Sequence, residues 1–201
     1  MFGEKVQENK CGDRPKTALV AVGANLPWQD RPPETAVSEA MHRLAGRCAD
    51  ARLSRLWRTP AFPPGAGPAF VNAAMALGWS GTPEALLETL HDIEASFGRT
   101  RTARWEARIM DLDLLAIDDL VLPDLPGYRR WAGLDPAQAA SRTPGGLVLP
   151  HPRMTERAFV LAPLADVAPG WRHPVTGRTV AEMLDDLPEH ALDGVEPLVG
   201  R

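Results

Sequence analysis

The sequence predicts an α+β fold, a ferredoxin-like sandwich in which an antiparallel sheet with a β-α-β-β-α-β core carries C-terminal additions. Three observations predict it: two amphipathic helical stretches with start and stop signals, apolar β-favouring runs flanking them, and a period-two run that closes the order.

TALVAVG (17–23) is continuously apolar, so it reads as a central strand, and Gly-Ala-Asn-Leu ends it. Pro32-Pro33-Glu34 then opens a helix with Ala36, Val37, Ala40, Met41 and Leu44 on one face, closed by Gly46. Ala49 to Trp57 fits a second strand. The stiff loop RTPAFPPGAGP leads to a third, FVNAAMALGW (70–79). Thr82-Pro83-Glu84 supplies an N-cap, an N1 proline and an early acid. Leu86, Leu87, Leu90, Ile93 and Phe97 repeat at helical spacing until Gly98. Arginines at 99, 101, 104 and 108 precede RIMDLDLLAI, where aspartates and apolar residues alternate as in a half-buried strand. Residues 123–146 lack periodicity and read as an inserted surface loop. A short strand at 147–149 and helical segments near 158–167 and 179–187 follow. The expected organisation is a flexible tail (1–16), one domain (17–189) and a C-terminal tail (190–201).

The chain has 201 residues, 44% of them hydrophobic and 24% charged, enough for one domain with a real core. With 17 glycines and 20 prolines, its loops should be long and stiff. The net charge of −4 argues against nucleic-acid binding. The only lysines are Lys5, Lys10 and Lys16, so an anionic substrate in the body of the protein must be gripped by arginine, which excludes a Walker A lysine. Cys11 and Cys48 lack metal-site spacing and fit a reducing compartment. Neither a signal-peptide core nor a membrane-length apolar run is evident, so a cytoplasmic protein is expected.

Asp111 and Asp113 stand two apart on a strand, so their side chains leave one face with Cα atoms ~6–7 Å apart. Met110, Leu112 and Leu114 face the core. Such a pair can bracket two hard cations shared with substrate phosphates. By itself D-x-D more often marks the exposed face of an edge strand, and arginines before a strand can be a solvated loop. Together, carboxylate-held metals and guanidinium forks are what a triphosphate needs.

GANL (23–26), WRTPAF (57–62), FVNAA (70–74), GRTRTARWEARIMDLDLL (98–115) and LPHPRMTERAFVLAPL (149–164) occur in the order that resembles the 6-hydroxymethyl-7,8-dihydropterin pyrophosphokinase family of folate biosynthesis. The resemblance runs from about Thr17 to about Leu187. It implies transfer of pyrophosphate from ATP to the pterin hydroxymethyl group, with AMP as co-product. Asp111 and Asp113 match ligands of two Mg2+ ions, and Arg99, Arg108 and Arg157 match arginines near the phosphates. Trp105 matches a tryptophan closing over the nucleotide, His151 a phosphate contact, and Leu87, His91, Glu94 and Leu114 positions on the nucleotide side. The pterin contacts implied are Thr59, Pro60 and Phe62 through their backbone, the Asn72 amide, and the Phe70 and Phe159 rings. A flat heteroaromatic ring suits two aromatic faces and an amide offering both donor and acceptor. The implied partners are small molecules alone, with no nucleic acid and no membrane, and the chain is expected to be a monomer.

Ala24 stands where the family usually has serine, Glu106-Ala107 where Gly-Pro is usual, and Pro63 where the pterin loop usually has glycine. Gly146 and Val148 replace polar contacts of some members. Two rival readings remain open: a catalytically weakened homologue that binds pterin or nucleotide as a regulatory module, and another ferredoxin-like metal enzyme. Joint retention of Asp111, Asp113, Arg99, Arg108, His151 and Asn72 argues against the first, and Asn72 with its flanking aromatics against the second.

Overall fold

In the computed structural model, which describes residues 14–61, 67–98 and 109–198, β1 (Lys16–Ala24) is the central strand that its unbroken apolar run predicts. It pairs antiparallel with β4 (Phe70–Trp79) on one side and β5 (Asp111–Ile117) on the other. β4 also pairs with β2 (Ala49–Leu53) and β3 (Trp57–Thr59), and β3 with β6 (Glu196–Pro197). The order is β5-β1-β4-β3-β6, with β2 beside β4, so β5 lies at an edge.

Strand alternation divides the core into two layers. Val20, Val22, Met75, Leu112 and Leu114 face α1 (Pro33–Ala45) and α2 (Pro83–Ser96), whose buried stripes are Ala36, Val37, Ala40, Met41, Leu44 and Leu86, Leu90, Ile93. Each fully buried leucine or valine contributes roughly 1.5–3 kcal/mol. Thr82 caps α2 as its sequence predicts, its side chain accepting from the Ala85 N–H. The opposite face, Leu19, Ala74, Ala76 and Leu115, packs under α5 (Ala158–Val167) and α6 (Val180–Asp185). The C-terminal additions therefore form a second helical layer. No helix among the described residues is long and apolar enough to cross a membrane.

Several elements differ from expectation. The strand expected over 49–57 breaks at Ser54, whose Oγ accepts the Ala74 N–H and donates to the Arg55 carbonyl, so a side chain replaces a rung of the ladder. The loop expected at 123–146 contains α3 (Leu125–Ala132) and α4 (Pro136–Ser141). Asp124 and Asp135 cap their first turns, each with a proline just inside. Tyr128 anchors α3: its hydroxyl meets Nε2 of the fully buried His173 at 3.1 Å. The strand expected at 147–149 reduces to one bridge, Leu122 with Leu149. The segment read as a C-terminal tail returns to the sheet through β6, where Leu198 N–H donates to the Leu56 carbonyl.

Candidate active site

On β5 the alternation sends Leu112 and Leu114 into the α1/α2 core and leaves Asp111 and Asp113 half-buried on the α5 face. Leu114, 4% exposed, is thus a core side chain. β1 and β5 slip register at Leu19/Val20, so Leu115 is an extra residue on β5. Its carbonyl accepts the His151 N–H at 2.6 Å, which brings the Pro150-His151-Pro152 turn onto the strand that carries the aspartates.

His151 Nδ1 accepts the Arg153 N–H at 3.2 Å, so the ring proton of the neutral imidazole sits on Nε2. Burial, reinforced by the positive charge of Arg157, pushes its pKa down to about 3 although Asp111 opposes the shift. His151 is therefore a neutral donor. Burial also lowers the pKa of Arg157, against the pull of Asp113 and Asp111. Arg157 precedes α5, and its guanidinium lies 5.6 Å from the centre of the Phe159 ring. Phe159 is 36% exposed, an unusual position for an isolated phenylalanine and a usable one for stacking. His151, Arg157, Asp111 and Asp113 thus share one electrostatic neighbourhood.

Across the sheet, Gly23 pairs with Asp111 on one side and with Asn72 on the other, and Ala21 likewise with Asp113 and Ala74. The floor between the aspartates and Asn72 is therefore paved with small residues, over two strand spacings of about 9.5 Å. Asn72 (8% exposed) donates from Nδ2 to Thr59 Oγ1 (2% exposed) at 2.8 Å. Phe70, half-buried, pairs with Thr59, and Pro60 is exposed at the end of β3.

Leu87 and His91 are half-buried on α2, on the other layer from the aspartates. Glu94, 2% exposed, accepts the Leu112 N–H at 2.8 Å and so caps the outer edge of β5 between the two aspartates. Arg99, Arg101, Arg104, Trp105, Arg108 and Phe62 lie outside the described residues, as do Pro63 and Glu106-Ala107.

One cluster had no sequence signal, because its members are more than a hundred positions apart. The Asp166 carboxylate on α5 accepts from Arg55 N–H, Nε and Nη2 (3.2, 3.1 and 2.6 Å) and from Trp57 Nε1 (3.0 Å). Burial raises the Asp166 pKa, but these hydrogen bonds outweigh it and hold the carboxyl below its ordinary value. The cluster ties α5, which carries Phe159, to β3, which carries Thr59.

Among the described residues no three His, Cys, Asp or Glu side chains converge as a metal cage. Two adjacent carboxylates on a half-buried face fit magnesium, which takes one or two protein carboxylates and completes its shell with phosphate and water oxygens.

Comparison with known proteins identifies the family. The family model described as 7,8-dihydro-6-hydroxymethylpterin-pyrophosphokinase matches residues 19–169. The 2-amino-4-hydroxy-6-hydroxymethyldihydropteridine pyrophosphokinase of Pseudomonas aeruginosa is 36% identical over 184 residues, 90% of this chain and 96% of that protein. The protein of the same name from Synechocystis is 34% identical over 146 residues, 73% of this chain and 64% of the relative. Among solved structures, wild-type Plasmodium falciparum HPPK-DHPS superposes with a TM-score of 0.57 at 14% identity, over 90% of this chain and 45% of that one. That likeness speaks for the fold alone, and this chain spans less than half of the Plasmodium chain. The family match covers β1 to α5, the span that carries the aspartate pair, the small-residue floor and Asn72. By fold, motif order and sequence, the chain belongs to the 7,8-dihydro-6-hydroxymethylpterin-pyrophosphokinase family.

Proposed function

We propose that this chain transfers pyrophosphate from ATP to the hydroxymethyl group of 6-hydroxymethyl-7,8-dihydropterin in folate biosynthesis, as a cytoplasmic monomer. The observation that carries the reading is the cross-strand row Asp111–Gly23–Asn72, which sets a carboxylate pair and a ring-recognising amide on one sheet face with no side chain between them. Asp111 and Asp113 would hold two magnesium ions. When bound, these supply charge neutralisation on the ATP phosphates and lower the pKa of the acceptor hydroxyl.

The chain's own residues position both substrates. Arg157 offers a planar fork and His151 a neutral Nε2–H donor to phosphate oxygens beside the carboxylates. Asn72 and the Thr59 and Pro60 backbone orient the pterin edge, and Phe70 and Phe159 cover its faces. Arg99, Arg108, Trp105 and Phe62 join these roles by resemblance, as do Leu87, His91, Glu94 and Leu114 on the nucleotide side, although the last four belong to α2 and the core layer behind the carboxylates. In the transfer, the hydroxymethyl oxygen bonds to the β-phosphorus, the bond from that phosphorus to the α-bridging oxygen breaks, AMP departs, and the hydroxyl proton passes to water. Catalysis is then chiefly alignment and electrostatics.

The test is to mix the chain with ATP, magnesium and the hydroxymethyl-dihydropterin and follow the nucleotide. AMP in step with pterin consumption is expected. ADP, or no turnover, would sink the proposal.

A further inference from the structure

The Asn72 amide is held from two sides by residues on different strands. On β3, Thr59 Oγ1 accepts the Nδ2 proton at 2.8 Å, and both side chains are nearly fully buried. On β1, Gly23 faces the other amide atom: a Cβ built on Gly23 would stand 2.5 Å from Asn72 Oδ1, a distance real Cβ atoms do not show. The hydroxyl takes the nitrogen end, and the missing side chain leaves room for the oxygen end. Because Gly23 also pairs with Asp111, Oδ1 is turned toward the part of the floor that leads to the carboxylates.

We infer that the Thr59 hydroxyl and the bare backbone of Gly23 together hold the Asn72 amide in one place, the first by a hydrogen bond and the second by leaving room for it. They thereby make it a pre-positioned partner for the polar edge of a ring. Thr59 acts here through its side chain, as a positioning residue for Asn72. This rests on the pyrophosphokinase reading for the identity of the ring, and it adds a specificity determinant to it. A buried amide held in place discriminates against a ring whose polar edge does not come within hydrogen-bond reach of it, because buried polar groups would be left unpaired. If Thr59 loses its hydroxyl, the amide loses its nitrogen partner and can rotate. If Gly23 gains a methyl group, the amide must move or the strands must part.

The experiment measures kcat and KM for each substrate, with melting temperature, in wild type, Thr59→Val, Thr59→Ser and Gly23→Ala. Thr59→Val keeps the shape and removes the hydroxyl, and is expected to raise the pterin KM about tenfold, ~1.4 kcal/mol, with the ATP KM changed less than about twofold. Thr59→Ser restores the hydroxyl and should return the pterin KM to near wild type. Gly23→Ala should raise the pterin KM at least as far as Thr59→Val. Equal shifts in both KM values, an unchanged pterin KM, or failure of serine to rescue would overturn the inference. If Thr59→Val does not fold, Gly23→Ala decides alone, and an unchanged pterin KM in it overturns the idea. If wild type makes no AMP, the pyrophosphokinase reading falls instead. Fluorescence titration of the pterin into the same variants then tests the amide lock by itself, and equal affinities would refute it.

Discussion

Replacing Glu94 by alanine should loosen the strand that carries the aspartates. β5 is an edge strand, and Leu112 sits between Asp111 and Asp113 with its side chain 3% exposed, so water cannot easily reach its N–H. The Glu94 carboxylate, 2% exposed, supplies the acceptor at 2.8 Å. A buried donor left without a partner costs roughly 1–3 kcal/mol, and truncating the side chain removes packing worth about 1 kcal/mol more. Glu94→Ala should therefore lose about 2–4 kcal/mol, a large share of the ~5–15 kcal/mol that holds a domain folded. Glu94→Gln keeps a carbonyl oxygen in reach of Leu112 and should lose no more than about 1 kcal/mol.

Urea unfolding checks this, as a lower midpoint at constant slope in the alanine variant. The same change should lower kcat, since misplacing a positioned group by ~1 Å can cost a hundredfold in rate. An alanine variant within about 0.5 kcal/mol of wild type would refute the edge-capping argument, a change no larger than an ordinary surface substitution makes. So would a glutamine variant as unstable as the alanine one. A glutamine variant with normal stability and a raised ATP KM would instead place Glu94 among the nucleotide contacts.

Other expectations follow from the same geometry. Asp111→Ala or Asp113→Ala should lower kcat by roughly a thousandfold or more while sparing pterin binding by calorimetry, and near-normal rates would remove the metal assignment. His151, with its pKa near 3, is already neutral above pH 5, so kcat/KM for ATP should show no break between pH 5.5 and 8 that disappears in His151→Gln. His173 is buried, which lowers its pKa from the ordinary 6.5, and its Nδ1 accepts the Val175 and Thr176 N–H groups. Above 6.5 neither folded nor unfolded chain binds its proton. Below 6.5 the unfolded chain takes up a proton that the folded one refuses, so stability falls with pH until the folded pKa is reached. Urea midpoints at pH 7.5 and 5.5 should separate for wild type more than for His173→Gln. Ala21→Val, which adds two methyl groups between Asp113 and Ala74, should lower kcat/KM for both substrates with little change in melting temperature, and an unchanged kcat/KM would mean that the floor need not be flat.

What was legible in the sequence was what period and punctuation write locally. β1, β4, β5, α1 and α2 have long apolar patterns bounded by proline, glycine or an N-cap, and all stand where expected. The Asp111/Asp113 face followed from alternation alone. The break at Ser54 was not legible, because it depends on a hydroxyl replacing a backbone rung of a strand twenty residues away. α3 and α4 were missed on periodicity, although Asp124 before Pro126 and Asp135 before Pro136 carried the capping signal that short helices need. Glu94 reads in the sequence as a nucleotide-side position, at i+7 from Leu87 on one face of its helix. Only the sheet edge beside it makes it a buried acceptor. The Asp166 cluster and the bulge at Leu115 arise from pairings that no local pattern encodes.

The sheet itself sets the scale of the cleft. On the proposed function two substrates meet with the acceptor hydroxyl against a phosphate, so the Asn72 amide and the Asp111 and Asp113 carboxylates would need a separation close to the length of a bicyclic ring with a one-carbon arm. Neighbouring strands would bring them too close, since ~4.8 Å leaves no room for the ring to lie between. Three spacings would strand the hydroxyl short of the carboxylates. The ferredoxin-like order puts one strand, β1, between β5 and β4, and that strand must then have little side chain on the cleft face while staying bulky on the other. Gly23 and Ala21 alternate with Val22 and Val20 in that way. The central strand is therefore under two constraints at once: its even positions hold the α1/α2 core, while Ala21 and Gly23 keep the floor clear and Leu19, farther along the same face, packs under α5 and α6. A substitution that a core argument alone would call harmless on β1 therefore divides by position, tolerated where it faces α1 only if it fills, and at Ala21 and Gly23 only if it stays small.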